Sequence, residues 1–134
     1  MTLTVPNNGE IDGLSAFVNK AAASDIELRL FSNDVTPAET DTVATYTEAT
    51  FTGYSAITLT GASWSVVAGA PSVATYAEQQ FTSTADGQNQ SVYGYYMTRN
   101  GGTRIVLAER FSNGPYTIAN NGDWIKVTPQ ITLD

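Results

Sequence analysis

Short apolar runs that alternate with polar residues recur along most of the chain, separated by glycine, proline and asparagine. The run IELRLF from Ile26 alternates cleanly, and further runs begin at Tyr54, Trp64 and Val73. Such alternation indicates half-buried β-strands, and the Gly and Pro positions between the runs indicate turns. The pattern predicts about nine strands, including a short one at residues 2–5.

The central pair of these strands lies between Ser91 and Thr117. Two apolar runs there flank the sequence Asn-Gly-Gly at residues 100–102. A Gly-rich connection supplies the positive φ angles that a tight reversal needs, so we expect a β-hairpin. Asn121 followed by Gly122 is the strongest single hairpin signal in the chain and predicts a second one.

One segment near the N-terminus has the period of a helix instead. Its apolar residues recur at spacings of three and four, at Ile11, Leu14, Phe17, Val18 and Ala21. Acidic residues lie in its first turn and Lys20 in its last, as the helix dipole favours. We expect a helix of about three turns that covers one end or one face of the sheet, after an N-terminal arm of residues 1–8. The alternative is an amphipathic helix that docks on a partner.

Together these elements predict a mainly β fold. We expect an antiparallel β-sandwich or barrel with one N-terminal amphipathic helix, because no long helical pattern is present that would build parallel βαβ units. The 134 residues fit a single domain over 1–134. A domain of this size buries roughly two thirds of the surface that its unfolded chain exposes.

A long acidic segment, residues 32–53, has weak periodicity and is the longest predicted loop. Long loops in compact domains are usually functional, so we expect an exposed contact surface there. Its carboxylates Asp34, Glu39 and Asp41 are of the type that binds Ca²⁺. Their spacing does not match an EF-hand loop, and a solvated acidic loop is the preferred interpretation.

Composition excludes several classes of function. The chain has no cysteine and no histidine, which removes disulfides, most hydrolase triads and nearly all zinc chemistry. Its 13 acidic and 6 basic residues give a net charge of −7, and the cations are scattered, so nucleic-acid binding is not expected. No catalytic, metal-binding or cofactor-binding residue is assigned, and we expect that the protein is not an enzyme.

Glu109 is the one carboxylate inside a strongly apolar run. By alternation it shares a face with Ile105, Leu107 and Phe111. A half-buried carboxylate can be a tuned acid, but pairing with an arginine such as Arg29 or Arg110 is the commoner arrangement. We expect such a pair.

The tyrosines of the preceding run have two interpretations. Alternation places Tyr93 and Tyr95 on one face, where they would pack in the core or against a neighbouring subunit. If they were exposed beside Trp64, they would instead form a platform for stacking on sugar rings.

No apolar run approaches the ~20 residues that a membrane-spanning helix needs. The first ten residues contain no basic start followed by an apolar region, so we expect no secretion signal and a soluble protein made in the cytosol.

Several segments, spread from Leu3 to Leu133, carry a resemblance to a known family. They read TLTVPNNGE, LRLFSNDVTPAE, YTEATFTGY, VYGYYMT and AERFSNGPYTIANNGDWIKVTPQITL. In these segments the chain resembles small virion structural proteins of tailed bacteriophages, including cyanophages. The resemblance implies a capsid decoration or cement protein that binds the outer surface of the major capsid protein, is located in the virion and assembles as a homotrimer. It carries no catalytic motif.

The residues expected at the partner interface come from the acidic loop and the tyrosine strand. They are Asp34, Val35, Pro37, Glu39, Tyr46, Phe51, Tyr93 and Tyr95. The alternative function is a tail or fibre component that binds a host receptor or glycan, and an enzyme is a remote third.

Overall fold

The computed structural model describes residues 5–18, 20 and 26–133. Within them lie one α-helix, eleven β-strands and two 3₁₀ turns, at Val43–Thr45 and Gly61–Ser63. The regular elements are, in chain order, α1 (Asn7–Phe17), β1 (Ile26–Phe31), β2 (Ile57–Leu59), β3 (Ser65–Val67), β4 (Ser72–Thr75), β5 (Gln79–Thr82), β6 (Gln90–Val92), β7 (Gly94–Arg99), β8 (Ile105–Arg110), β9 (Tyr116–Ile118), β10 (Trp124–Val127) and β11 (Gln130–Leu133).

The strands form four antiparallel sheets. The largest has the order β2-β1-β7-β8, a three-stranded sheet has the order β11-β4-β3, and the pairs β10-β5 and β6-β9 form the other two. The predicted class, mainly β with one N-terminal helix, is confirmed. The described strands form open sheets of a sandwich-like fold and do not close into a barrel.

The chain divides into two compact units. The first contains α1, Leu59–Glu78 and the segment from Thr128 onward, and the second contains Ile26–Thr58 and Gln79–Val127. In the first unit, α1 packs on β3, β4 and β11. A single domain over residues 1–134 stays a prediction.

The first unit is organised by α1. Leu14 and Val18 are buried and Ile11 and Phe17 half-buried, as the helical spacing predicts, while Ala21 lies outside the described residues. The helix begins at Asn7, so residues 7 and 8, predicted as the end of the N-terminal arm, belong to its first turn instead. The predicted strand at residues 2–5 falls outside the described residues except for Val5, which belongs to no strand.

More strands are present than predicted because three long apolar runs each divide in two. The run from Val73 gives β4 and β5, and the run from Trp124 gives β10 and β11. Pro129 separates the latter pair, since proline has no N–H to donate to a strand ladder, and its carbonyl accepts from Tyr76 N–H at 2.9 Å. The run from Ser91 divides at Tyr93 into β6 and β7.

The central hairpin prediction is confirmed for β7 and β8, which pair across the turn at residues 100–102. Gly101 and Gly102 adopt φ angles of 90° and 68° there. The second predicted hairpin is wrong. Although Gly122 has a φ of 88°, β9 pairs with β6 and β10 pairs with β5, so the strands on either side of this turn belong to different sheets.

The four-stranded sheet is buried on both faces at its centre. Leu28, Leu30 and Met97 are inaccessible on one face, and Phe31 and Tyr96 are buried on the other. A strand covered on both sides reads as a continuous apolar run, which explains the sequence GYYMT of β7. The face that carries Tyr96 is where the acidic loop packs.

Candidate functional site

The acidic loop, residues 32–53, packs on the four-stranded sheet through aromatic contacts. The ring of Tyr46 stacks on Tyr96 with centroids 5.1 Å apart and lies 5.0 Å from Phe31. Further along, Phe51 is buried against Tyr54. Aromatic pairs at these distances are favourable contacts in a protein core. Two residues predicted at an exposed interface, Tyr46 and Phe51, are therefore core residues.

Two arginines of the sheet hold the loop by its carboxylates. Arg29 Nη1 lies 2.6 Å from Oε2 of Glu48 in the loop, and its Nη2 lies 2.7 Å from Oε2 of Glu27 on β1. Arg110 Nη1 lies 2.7 Å from Oδ1 of Asp34 in the loop. Arg110 also donates to the carbonyl of Val35 at 2.9 Å. The negative charge of the loop is thus partly neutralised by the sheet on which it packs.

A third carboxylate folds the loop on itself. Tyr46 Oη donates to Asp41 Oδ2 at 2.6 Å, and the Ala38 N–H donates to the same oxygen at 2.8 Å. These two hydrogen bonds lower the pKa of Asp41, the bond from Tyr46 having the larger effect. Because Asp34 and Asp41 are engaged with separate partners, they do not converge with Glu39, and the described residues contain no group of three acidic side chains that could hold a metal ion.

The two tyrosines predicted to share a face do not. Tyr93 packs with Tyr46 and Tyr96, and the guanidinium of Arg110 lies over its ring at 5.2 Å. Tyr95 packs on the other face and donates its hydroxyl to Glu109. The alternation fails because the chain leaves β6 and enters β7 between Val92 and Gly94.

The expected arginine pair of Glu109 is also wrong. Its partner is the hydroxyl of Tyr95, the residue directly opposite it on β7, while Arg29 and Arg110 pair with the loop. Burial raises the pKa of the Tyr95 phenol, and the hydrogen bond to Glu109 raises it further. Glu109 itself is exposed.

The predicted interface residues therefore differ in accessibility. Asp34 and Glu39 are exposed, Val35, Pro37 and Tyr93 are half-buried, and Tyr46, Phe51 and Tyr95 are buried. A sugar-stacking platform of Tyr93 and Tyr95 would need them to be exposed beside an accessible Trp64. Trp64 is only 1% exposed, so this condition is not met. A buried ring offers no face to a sugar or to a partner.

The exposed aromatic residues of the described chain lie elsewhere, on β9 and β10. Tyr116 is 43% exposed and Trp124 56% exposed, and both line a concavity of about 600 Å³. Lys126 Nζ lies over the Trp124 ring at 5.1 Å, and Tyr116 packs against Phe111 at 5.2 Å. The Tyr116–Trp124 surface is lined by Tyr116, Thr117, Ile118, Gly122, Asp123, Trp124, Ile125 and Lys126.

The turn between β9 and β10 sends the two strands into different sheets, and the residues of this surface lie on these strands and on the turn. Asp123 Oδ2 fixes the turn by accepting from the N–H groups of Ala119 and Asn120 at 2.9 and 2.8 Å. These hydrogen bonds lower the pKa of Asp123, and the bond from the Asn120 N–H has the larger effect. Trp124 therefore directly follows a turn that is held by two hydrogen bonds.

The sequence contained a signal for this surface. In WIKV the apolar residues Ile125 and Val127 alternate with Trp124 and Lys126, so burial of the first pair places Trp124 on the outer face. The pairing partners of β9 and β10 are what sequence reasoning missed.

The surface offers two exposed aromatic rings, which bring a large apolar area to a contact with another molecule. No helix in the described part of the chain has the length and apolar composition to cross a membrane. Comparison with family models, with curated proteins and with solved structures gives no match.

Proposed function

We propose that this protein is a structural component of a phage virion, of the capsid-decoration or cement kind, and that it binds the outer surface of the major capsid protein. The sequence resemblance to small phage structural proteins suggests the role. The observation that supports a specific surface is the exposure of two aromatic residues, Tyr116 and Trp124, that line one concavity.

Exposed tryptophan and tyrosine side chains are the residue types that contribute most to protein–protein binding. They bring a large apolar area with few rotatable bonds, so little side-chain freedom is lost on binding. Trp124 and Tyr116 line one concavity, so a protruding apolar side chain of a partner would contact both. We place the capsid contact there, with the exposed Asp34 and Glu39 of the acidic loop at other points of the protein's surface.

The charge of the chain suits a position on the outside of a particle. A net charge of −7 on a small domain favours solubility and keeps like particles apart in solution. Self-association of the decoration protein on the shell, with the homotrimer implied by the resemblance, belongs to the same proposal.

The same surface supports a second candidate, a tail or fibre protein that binds a host glycan. Aromatic faces stack on sugar rings, and polar groups beside them accept or donate hydrogen bonds to hydroxyls. Lys126 and Asp123 are polar residues in the lining next to Trp124.

Co-sedimentation of the purified protein with capsids that lack it tests the proposal. Wild-type protein should pellet with the capsids, and Trp124→Ala should weaken binding by more than about tenfold. Val67→Ala is the matched control, since Val67 is 60% exposed but lies outside the surface, and it should bind like wild type. Wild-type binding to glycans with no binding to capsids would favour the second candidate.

A further inference from the structure

Strand β8 forms one edge of the four-stranded sheet, and among the described residues it pairs with β7 alone. Ile105, Val106, Leu107 and Ala108 are half-buried and line a groove of about 560 Å³ opposite the loop segment from Pro37 to Asp41. An accessible apolar edge strand is a template for pairing with another strand. Among the described residues, no strand pairs with the outer side of β8, which is the position that a strand of a second chain would take.

The hydrogen bonds to β7 show which backbone groups of β8 point outward. Phe111 N–H donates to the Tyr93 carbonyl, and the Arg104 carbonyl accepts from Arg99 N–H, so residues 111 and 104 face the β7 side. In an antiparallel strand, successive residues direct their backbone N–H and C=O groups alternately toward and away from the neighbouring strand. One extra residue of β8 is accommodated where the register shifts opposite Met97/Thr98. Ile105 and Ala108 therefore turn their N–H and C=O groups away from the sheet.

The charges that flank the apolar part of β8 are opposite in sign and share one face. The Arg104 carbonyl accepts from the Arg99 N–H, and Glu109 lies opposite Tyr95. On β7, Arg99 and Tyr95 are four residues apart. Residues an even number apart on a strand point to the same side. Both Arg104 and Glu109 are exposed.

We infer that two copies of this chain pair antiparallel through β8, with Ile105 of each copy opposite Ala108 of the other. In this register the outward backbone groups of both strands meet as hydrogen-bonded pairs. Arg104 of each copy then lies directly opposite Glu109 of the other, on the same face and at the closely spaced type of position.

The pattern is self-complementary, because a two-fold axis through the middle of β8 brings the two charges together twice. Shifting the register by two residues loses both charge pairs, so the charges select one alignment. The result is an eight-stranded sheet shared by two copies. This inference is independent of the virion role, since it depends only on the edge strand and its charges.

Sedimentation velocity over a range of concentrations tests the pairing. Wild-type protein should form dimers as concentration rises. The single reversals Arg104→Glu and Glu109→Lys should each weaken self-association at least about tenfold, because like charges then face each other. The double variant, Arg104→Glu with Glu109→Lys, restores opposite charges and should return to within about threefold of wild type.

A backbone variant provides the second test. Ala108→Pro removes an outward N–H and leaves the inward ladder to β7 intact, so the monomer should keep its circular dichroism spectrum while the dimer is lost. A wild-type protein that stays monomeric would overturn the inference. So would a charge-swapped double variant that fails to dimerise, or a folded Ala108→Pro that still does.

Discussion

The phenyl ring of Phe31 packs against Gly94, its direct partner across β1 and β7. A Cβ on Gly94 would lie 2.6 Å from that ring and would overlap the carbonyl oxygen of Glu109, and neither contact is compatible with a side chain. We expect Gly94→Ala to lower the free energy of unfolding by about 3 kcal/mol or more, measured by urea denaturation.

Gly13 in α1 provides the opposite case as a control. A Cβ there would meet only Leu133 at 3.7 Å, an ordinary contact. Because alanine is the better helix former, Gly13→Ala should raise the free energy of unfolding by up to about 1 kcal/mol. A Gly94→Ala protein as stable as wild type would contradict the close packing of Phe31.

The two ion pairs that hold the acidic loop should differ in strength. Arg29 and Glu48 have side chains 19% and 33% exposed, whereas Asp34, the partner of Arg110, is 69% exposed. Glu48→Gln should cost about 1–3 kcal/mol, since it leaves a mostly buried guanidinium with less compensation. Asp34→Asn should cost less than about 0.5 kcal/mol. Equal losses in chemical denaturation would contradict this difference.

Asp41 should make the stability depend on pH in the acid range. The hydrogen bond from Tyr46 lowers the pKa of Asp41 from its ordinary value of 3.8. The contribution of Asp41 to the free energy of unfolding is therefore fully present above pH 3.8 and is lost as the pH falls through the lower pKa of the folded state. The melting temperature of Asp41→Asn should therefore differ from wild type most at neutral pH and least in strong acid. A difference that stayed constant with pH would show that the charge of Asp41 is not involved.

In the first unit, a buried hydrogen bond joins α1 to β4. Ser72 Oγ donates to Glu10 Oε2 at 2.5 Å, and both side chains are buried. Ser72→Ala should lower the free energy of unfolding by about 1–3 kcal/mol, because the carboxylate loses a donor in a place with little water. The exposed Ser63→Ala serves as the control and should stay within about 0.5 kcal/mol of wild type. A Ser72→Ala loss no larger than the control's would contradict a stabilising role for the bond.

Features fixed by neighbouring residues were predicted from sequence, and features fixed by distant ones were not. The alternation of β1 and the glycine turn between β7 and β8 are local signals, and both are confirmed. The burial of Tyr46 depends on stacking with Tyr96, fifty residues away along the chain, which no local pattern encodes.

The candidate site illustrates the same limit. Asn121-Gly122 correctly indicated a tight turn, but the sheet to which each flanking strand belongs is decided by pairing with β5 and β6. Residues of both flanking strands line the concavity beside Trp124. The short strand at Tyr116–Ile118 contained no sign of which strand it would pair with.

The proposed function puts this protein in phage particles, and its copy number in purified particles tests that proposal most directly. Quantitative mass spectrometry should find the chain in a simple fixed ratio to the major capsid protein, as for a component that covers the shell. Its absence from the particles, or its presence at only a few copies in each, would contradict a role in capsid decoration.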